Sequence, residues 1–249
     1  GEITVIATLN KFADSIISGV ASAAGGAAAD AADMIVGGSG DDTISAGIGR
    51  NAILGDDGTI LFDAAARRAI INFVPALDAS QAEADRVAAD IALIEGMTLR
   101  LTASITDLDG DDVVTTLGDD DYAVLGGGDD IADLGEGVNW AAGDDGVLRV
   151  DLFQISSRSD SRGGDDSITT GAGNDFLVGG SGGDTITAGA GDNAVLGDVG
   201  DVYVSLDTIR ATTLFSFGGS ADGEDSVTAL GGQDWVILGG DDDIADLGQ

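Results

Sequence analysis

A nine-residue period governs this chain. Asp166, Asp175, Asp184 and Asn193 follow one another at intervals of nine, within the text GGDDSIT, GAGNDFLV, GGSGGDTIT and AGAGDNAVL. Each has glycines on its N-terminal side and an aliphatic residue two places on: Ile168, Leu177, Ile186 and Val195. The unit is therefore a turn, an acid or amide, and a short strand, repeated in tandem as in a solenoid. The same phase holds at Asp33, Asp42 and Asn51, at Asp112, Asp121, Asp130 and Asn139, and at Asp225, Asp234 and Asp243.

A longer repeat encloses the nonapeptides. Three blocks run into nearly the same exit, NAILGDDG at 51–58, NWAAGDDG at 139–146 and NAVLGDVG at 193–200. Alternating apolar residues follow, such as Leu148, Val150 and Leu152 or Val202, Val204 and Leu206, which predict half-buried strands of an excursion from the repeat. The first excursion also carries Ser80-Gln81-Ala82-Glu83 ahead of Val87, Ile91 and Ile94. That capping box predicts a helix over 80–94, with Met97, Leu99, Leu101, Ala103 and Ile105 returning as a strand.

The resulting division is 1–62, 107–146, 161–200 and 220–249 for the four repeat blocks, and 63–106, 147–160 and 201–219 for the excursions. The fourth block reads as cut short, the expectation being a longer array.

The motif Gly37-Gly38-Ser39-Gly40-Asp41-Asp42-Thr43-Ile44-Ser45 resembles at every fixed position the nonapeptide of RTX proteins, the hemolysin-type calcium-binding repeats. The resemblance covers about half the chain. It implies an all-β fold, a parallel β-roll in which two nonapeptides make one coil, with calcium held between turns 18 residues apart. Carried over, Asp166 pairs with Asp184, Asp112 with Asp130, Asp225 with Asp243, Asp33 with Asn51, Asp175 with Asn193 and Asp121 with Asn139. Asp234, which follows Asp225 by nine, joins the same ligand set. Turn carbonyls of Gly38, Gly40, Gly128, Gly164, Gly171, Gly173, Gly180, Gly182, Gly189 and Gly191 complete it. The cofactor that the resemblance implies is Ca2+, several ions per chain.

The residue types suit that ion. Glycine tolerates positive φ and lets carbonyl oxygens face inward, and calcium takes six to eight oxygen ligands. Stacked carboxylates about 4.8 Å apart repel by about 3 to 4 kcal/mol at an effective dielectric near 20, so folding is expected to be linked to the cation. Asn in place of Asp on the last rung before three exits removes a charge and predicts a weak or metal-free terminal site. The inward Ala123, Ala132 and Ala141 predict a thinner core in the second block than in the third. Turns such as Thr116-Leu117-Gly118-Asp119-Asp120-Asp121 have lost glycines.

Composition excludes several classes. Ten Lys plus Arg stand against 45 Asp plus Glu, a formal net charge of -35, which disfavours nucleic acid and anionic membranes as partners. With 43% hydrophobic residues the chain still has core material. Without cysteine there is no disulfide or thiolate site, and no apolar run is long enough for membrane insertion. Gly179-Gly180-Ser181-Gly182-Gly183 fits the serine-hydrolase elbow, but the chain has no histidine to act as base. Asp107-Leu108-Asp109-Gly110-Asp111-Asp112 has glycine in the wrong place for an EF-hand and Gly118 where a bidentate Glu is needed. No enzymatic activity is expected. Trp140 and Trp235 are expected to pack on a flank of the roll.

Apart from Lys11 and Arg50, every basic residue lies in an excursion or, as Arg162 does, at its border, which is read chiefly as solubility and alternatively as a means of docking on acidic rungs. The resemblance implies a secreted protein of the cell surface, exported by the type I route. Its role there is that of a calcium-rigidified structural or adhesive module, with copies of itself or neighbouring repeats as partners. The alternative it permits is the C-terminal secretion and folding domain of a hydrolase or toxin.

Overall fold

The structure is a computed structural model that describes residues 16–18, 34–37, 40–46, 50–56, 58–62, 99–103, 110–157, 163–205, 210–217 and 222–248. Asp33, Gly38 and the expected helix over 80–94 lie outside them. Within them the chain is nearly all strand, with one 3-10 turn at Val150–Leu152.

Three sheets are stacked as layers. An outer sheet holds, in spatial order, β1 (Ile16–Ser18), β3 (Thr43–Ser45), β7 (Val113–Thr115), β9 (Ile131–Asp133), β13 (Ser167–Thr169), β15 (Thr185–Ala188), β19 (Ser226–Ala229) and β21 (Ile244–Asp246). A middle sheet holds β2 (Met34–Val36), β4 (Ala52–Leu54), β8 (Tyr122–Val124), β10 (Trp140–Ala142), β14 (Phe176–Gly180), β16 (Ala194–Asp198) and β20 (Trp235–Ile237). Both are parallel throughout, and the chain alternates between them, which makes a two-sheet roll. The excursions supply a third, antiparallel cover sheet: β5 (Gly58–Phe62), β6 (Leu99–Ala103), β11 (Gly146–Arg149), β12 (Gln154–Ser157), β17 (Gly200–Ser205) and β18 (Arg210–Ser216).

The blocks do not stand apart as separate rolls joined by excursions. Thr43 pairs with Val113 across the first excursion, Ile131 with Ser167 across the second and Thr185 with Ser226 across the third. Every rung therefore rests on the next, because a strand that leaves the roll would strand its backbone donors and acceptors unless the returning strand took them up.

Two cores result. Inside the roll, Ile44, Ile53, Val114, Ile168, Leu177, Ile186, Val195 and Val227 are all nearly or fully inaccessible. Of the three alanines expected to thin this core, Ala141 is followed two places on by Gly143 and stays small at both positions, but Ala123 and Ala132 do not leave it thin. Leu125 and Leu134, two places on, are buried there at the position where neighbouring turns place Gly55, Gly143 or Ala188. Small and large residues change places, and close packing is kept. The second core lies between the middle and cover sheets, where Tyr122, Val124, Trp140, Phe176, Val178 and Leu196 meet Leu101, Leu148, Ile155 and Val202. Side chains of this size stabilise by about 1.5–3 kcal/mol each when fully buried. Trp140 packs on the flank of the roll as expected, with ring centroids 5.1 Å from Phe176, 6.2 Å from Tyr122 and 6.5 Å from Phe153. Trp235 is half exposed.

Candidate metal sites along the turn edges

The turns fall on two edges of the roll. Those that leave a middle strand and enter an outer one end in Asp42, Asp112, Asp130, Asp166, Asp184, Asp225 and Asp243. Along this aspartate edge each backbone N–H donates to Oδ1 of the aspartate one coil on: Asp42 to Asp112 (2.8 Å), Asp112 to Asp130 (2.7 Å), Asp130 to Asp166 (2.9 Å), Asp166 to Asp184 (2.9 Å), Asp184 to Asp225 (2.8 Å) and Asp225 to Asp243 (3.0 Å). The three pairs expected here from the 18-residue spacing are adjacent, but they are links of one continuous ladder.

One oxygen of each carboxylate is thereby used. The other, Oδ2 of Asp112, Asp130, Asp166, Asp184 and Asp225, is buried without a hydrogen-bond partner. Four of these oxygens lie over the glycine that opens their own turn, Gly55, Gly143, Gly179 or Gly197, where any Cβ would strike them. Burial, opposed by the backbone N–H of Asp42 and reinforced by the charges of Asp42, Asp41 and Asp111, pushes Asp112 up to about 8. Burial likewise carries Asp130 to about 10 and Asp184 to about 9, with charged neighbours on the same edge adding to it. Asp166 is raised well above the carboxylate range by burial and by Asp130, Asp184 and Asp144, and Asp225 reaches about 7. A buried, unshared carboxylate oxygen is expensive to leave as an anion, and a stack of five calls for positive charge.

A second, exposed relay of aspartates, Asp41, Asp111, Asp129 and Asp165, runs beside the first, and three more acids lie on this edge: Asp56, Asp144 and Asp198, the aspartates of the shared exits. Asp56 accepts from Gly110 N–H across its own interrupted turn and from Gly127 N–H in the next coil. Asp144 accepts from Gly164 and Ser181, and Asp198 from Gly240. Each carboxylate thus pins the point where an excursion leaves the roll. It fits because Gly126 and Gly180 opposite, at φ +130° and +137°, have no side chain in its way. The exit motif is visible in the sequence, but its spacing does not reveal that the acid folds back into the stack.

The opposite edge, where outer strands lead into middle ones, is built differently. Its rungs are Asn51, Asp121, Asn139, Asp175, Asn193 and Asp234, an alternation of amide and acid. The same relay runs along it: Asn51 N–H donates to Asp121 Oδ1 (2.9 Å), Asp121 to Asn139 (3.1 Å), Asn139 to Asp175 (2.9 Å), Asp175 to Asn193 (3.0 Å) and Asn193 to Asp234 (3.0 Å). The three asparagines are therefore not terminal rungs. They lie inside the ladder, because the stack continues across the exits that follow them. Asp121 is pushed to about 8 and Asp175 to about 7 by burial, with hydrogen bonds from neighbouring side chains pulling back.

The glycines expected to offer carbonyls stack in files. Gly110, Gly128, Gly164 and Gly182 succeed one another, each carbonyl against the next glycine, as do Gly171 with Gly189 and Gly173 with Gly191. Gly40 abuts Gly110 in the first file, and Gly180 takes the Asp144 carboxylate. In the glycine-poor turns, Asp119 and Asp241 adopt the left-handed conformation at φ 68° and 66°. Among the described residues no three acidic side chains converge on one point. An ion in these turns would therefore draw most of its ligands from backbone carbonyls. Arg50 pairs with Asp120 at 2.8 Å, and Arg149 on the cover sheet donates to Gln154.

One family model matches the chain, the RTX calcium-binding nonapeptide repeat (4 copies), over residues 28–59, 161–186 and 169–203. No curated protein and no solved structure matches it. The chain carries RTX calcium-binding nonapeptide repeats. No helix among the described residues is long and apolar enough to cross a membrane.

Proposed function

We propose that this chain, a carrier of RTX repeats, is a calcium-binding structural and adhesive module of a large secreted bacterial surface protein, folding and stiffening when it meets extracellular calcium. The observation that carries the reading is the run of buried, unpartnered Oδ2 atoms on Asp112, Asp130, Asp166, Asp184 and Asp225. These carboxylates, with carbonyl oxygens of the glycine turns, would hold the ions. Bound calcium supplies the divalent charge that a stack of like charges lacks.

The chain's own residues do the rest. The N–H relay sets the carboxylates at coil spacing, and the two cores hold the turns in register. The exit acids Asp56, Asp144 and Asp198 keep the excursions from prising the coils apart. A spacer or scaffold needs such stiffness. Copies of this chain, or neighbouring repeats, are the partners on which its coils would stack.

The test is circular dichroism with chelator and with millimolar calcium at neutral pH. The expected result is a largely unfolded chain in chelator and a β-rich one in calcium, with magnesium a poor substitute because it demands tighter octahedral geometry. An identical folded spectrum in both conditions would contradict the proposal. Light scattering across the same titration tests stacking, which predicts a growing mass as calcium rises.

A further inference from the structure

We infer that the two edges of the roll are held by different means: calcium on the aspartate edge, and on the other edge the side-chain amides of Asn51, Asn139 and Asn193 in the cation's place, so that no ion is bound between its coils. This rests on the calcium-binding reading above and assigns the ions to one edge.

The amides make the contacts an ion would make. Asn193 Nδ2 donates to the carbonyls of Gly189 (2.9 Å) and Gly191 (3.4 Å) in its own turn and to Asp234 Oδ1 (3.0 Å) in the next coil. Asn139 Nδ2 donates to Gly135 and Gly137 carbonyls, both at 3.3 Å, and Asn51 Nδ2 to Asp121 Oδ1 at 2.9 Å. Turn carbonyls and a neighbouring carboxylate, the ligands that calcium requires, are satisfied here by one NH2 group. Because amide and acid alternate, every described gap between rungs on this edge has an asparagine on one side. No two of its rung carboxylates face each other.

Among the described rungs of this edge only one acid oxygen, Oδ2 of Asp121, is buried without a partner. Thr170 Oγ1 donates to Asp175 Oδ2 at 2.7 Å, and Asp120 beside the ladder is neutralised by Arg50. On the aspartate edge the corresponding Oδ2 atoms have no donor at all on five successive rungs. Two-coil periodicity explains the pattern: each asparagine coil is the one that releases an excursion.

Counting calcium ions per chain by equilibrium dialysis with 45Ca, with folding followed by circular dichroism, tests the assignment. Asp166→Asn is expected to lose about one ion per chain, and Asp175→Asn none. Asn139→Asp and Asn193→Asp, which place carboxylates face to face, are expected to gain ions and to need more calcium for folding. If Asp175→Asn loses as many ions as Asp166→Asn while both fold, the assignment is overturned and calcium binding as such stands. Failure of both Asn→Asp variants to gain an ion overturns it equally. A wild-type chain that binds no calcium overturns this inference and the functional reading together.

Discussion

Trp140 and Trp235 stand at the same place in the repeat. Both open a middle-sheet strand one residue after a rung of the amide-bearing edge, and both point away from the interior of the roll. Yet Trp140 is 1% exposed and Trp235 52%. Position in the repeat is alike, but β10 is flanked in the middle sheet by β8 and β14, whose Tyr122 and Phe176 pack on Trp140, whereas among the described residues β20 pairs with β16 alone. The in-sheet neighbours and the third layer together make the difference. Phe153 and the β11–β12 pair lie over Trp140, whereas the Trp235 side is only partly covered. The nonapeptide decides what lies inside the roll, and the excursions decide which of its outer faces is dry. On the bare outer sheet the outward residues are mostly Ser and Thr, as in Ser167, Thr169, Thr185 and Thr187.

That contrast can be broken most forcefully by pH in the absence of calcium. The rung aspartates have folded pKa values raised to about 7–10 by burial, for instance Asp225, Asp112 and Asp130. A raised carboxyl pKa gives stability that is fully present below the unfolded value near 4 and is lost as pH rises through the folded one. In chelator, acidification from about pH 8 to pH 5 is therefore expected to restore the roll. Tryptophan emission reads it: Trp140 should shift to the blue, and the Trp235 component should stay red and open to acrylamide. A chain that loses structure on acidification in chelator would refute the sign.

Packing provides the next test. Trp140→Ala in saturating calcium is expected to cost about 3–5 kcal/mol of unfolding free energy, against about 1 kcal/mol or less for Trp235→Ala, measured by urea titration. Equal losses would mean that the cover sheet does not seal the middle sheet in solution. Leu148→Ala, in the covered core, should cost about 2–5 kcal/mol, while Ile244→Ala on the exposed face should stay within about 0.5 kcal/mol. The smallest effect belongs to Thr187→Ala on the bare sheet, which is expected to leave the melting temperature nearly unchanged.

Much of this was legible in the residues. The nine-residue phase places Ile168, Leu177, Ile186 and Val195 in the core before any coordinates exist, and each is fully buried. Strand content in the excursions follows from their period-two alternation. What that alternation cannot say is what covers the apolar side, because half-burial is the same signal whatever the partner. A clue to the third layer was nonetheless present: middle-sheet strands read Phe176-Leu177-Val178 or Ala194-Val195-Leu196, apolar throughout, while outer ones read Ser167-Ile168-Thr169. An uninterrupted apolar triplet marks a strand buried on both faces. Leu125 and Leu134 escape the period because they sit in turns, and the exit acids Asp56, Asp144 and Asp198 because their partners lie one coil away.

Stacking across the excursions also bears on the order in which the molecule assembles. Within a plain coil the partners are 18 residues apart, as at Asp166 and Asp184, but across the first excursion they are 70 apart, as at Asp42 and Asp112. Closing the longer loop costs about 1.2 kcal/mol more in chain entropy if it behaves as a flexible segment, and non-local closure slows folding. The uninterrupted coil pairs Val113–Ala142 and Ser167–Asp198 are thus the natural nuclei, and the seams at the excursions are the last to zip and the first to open.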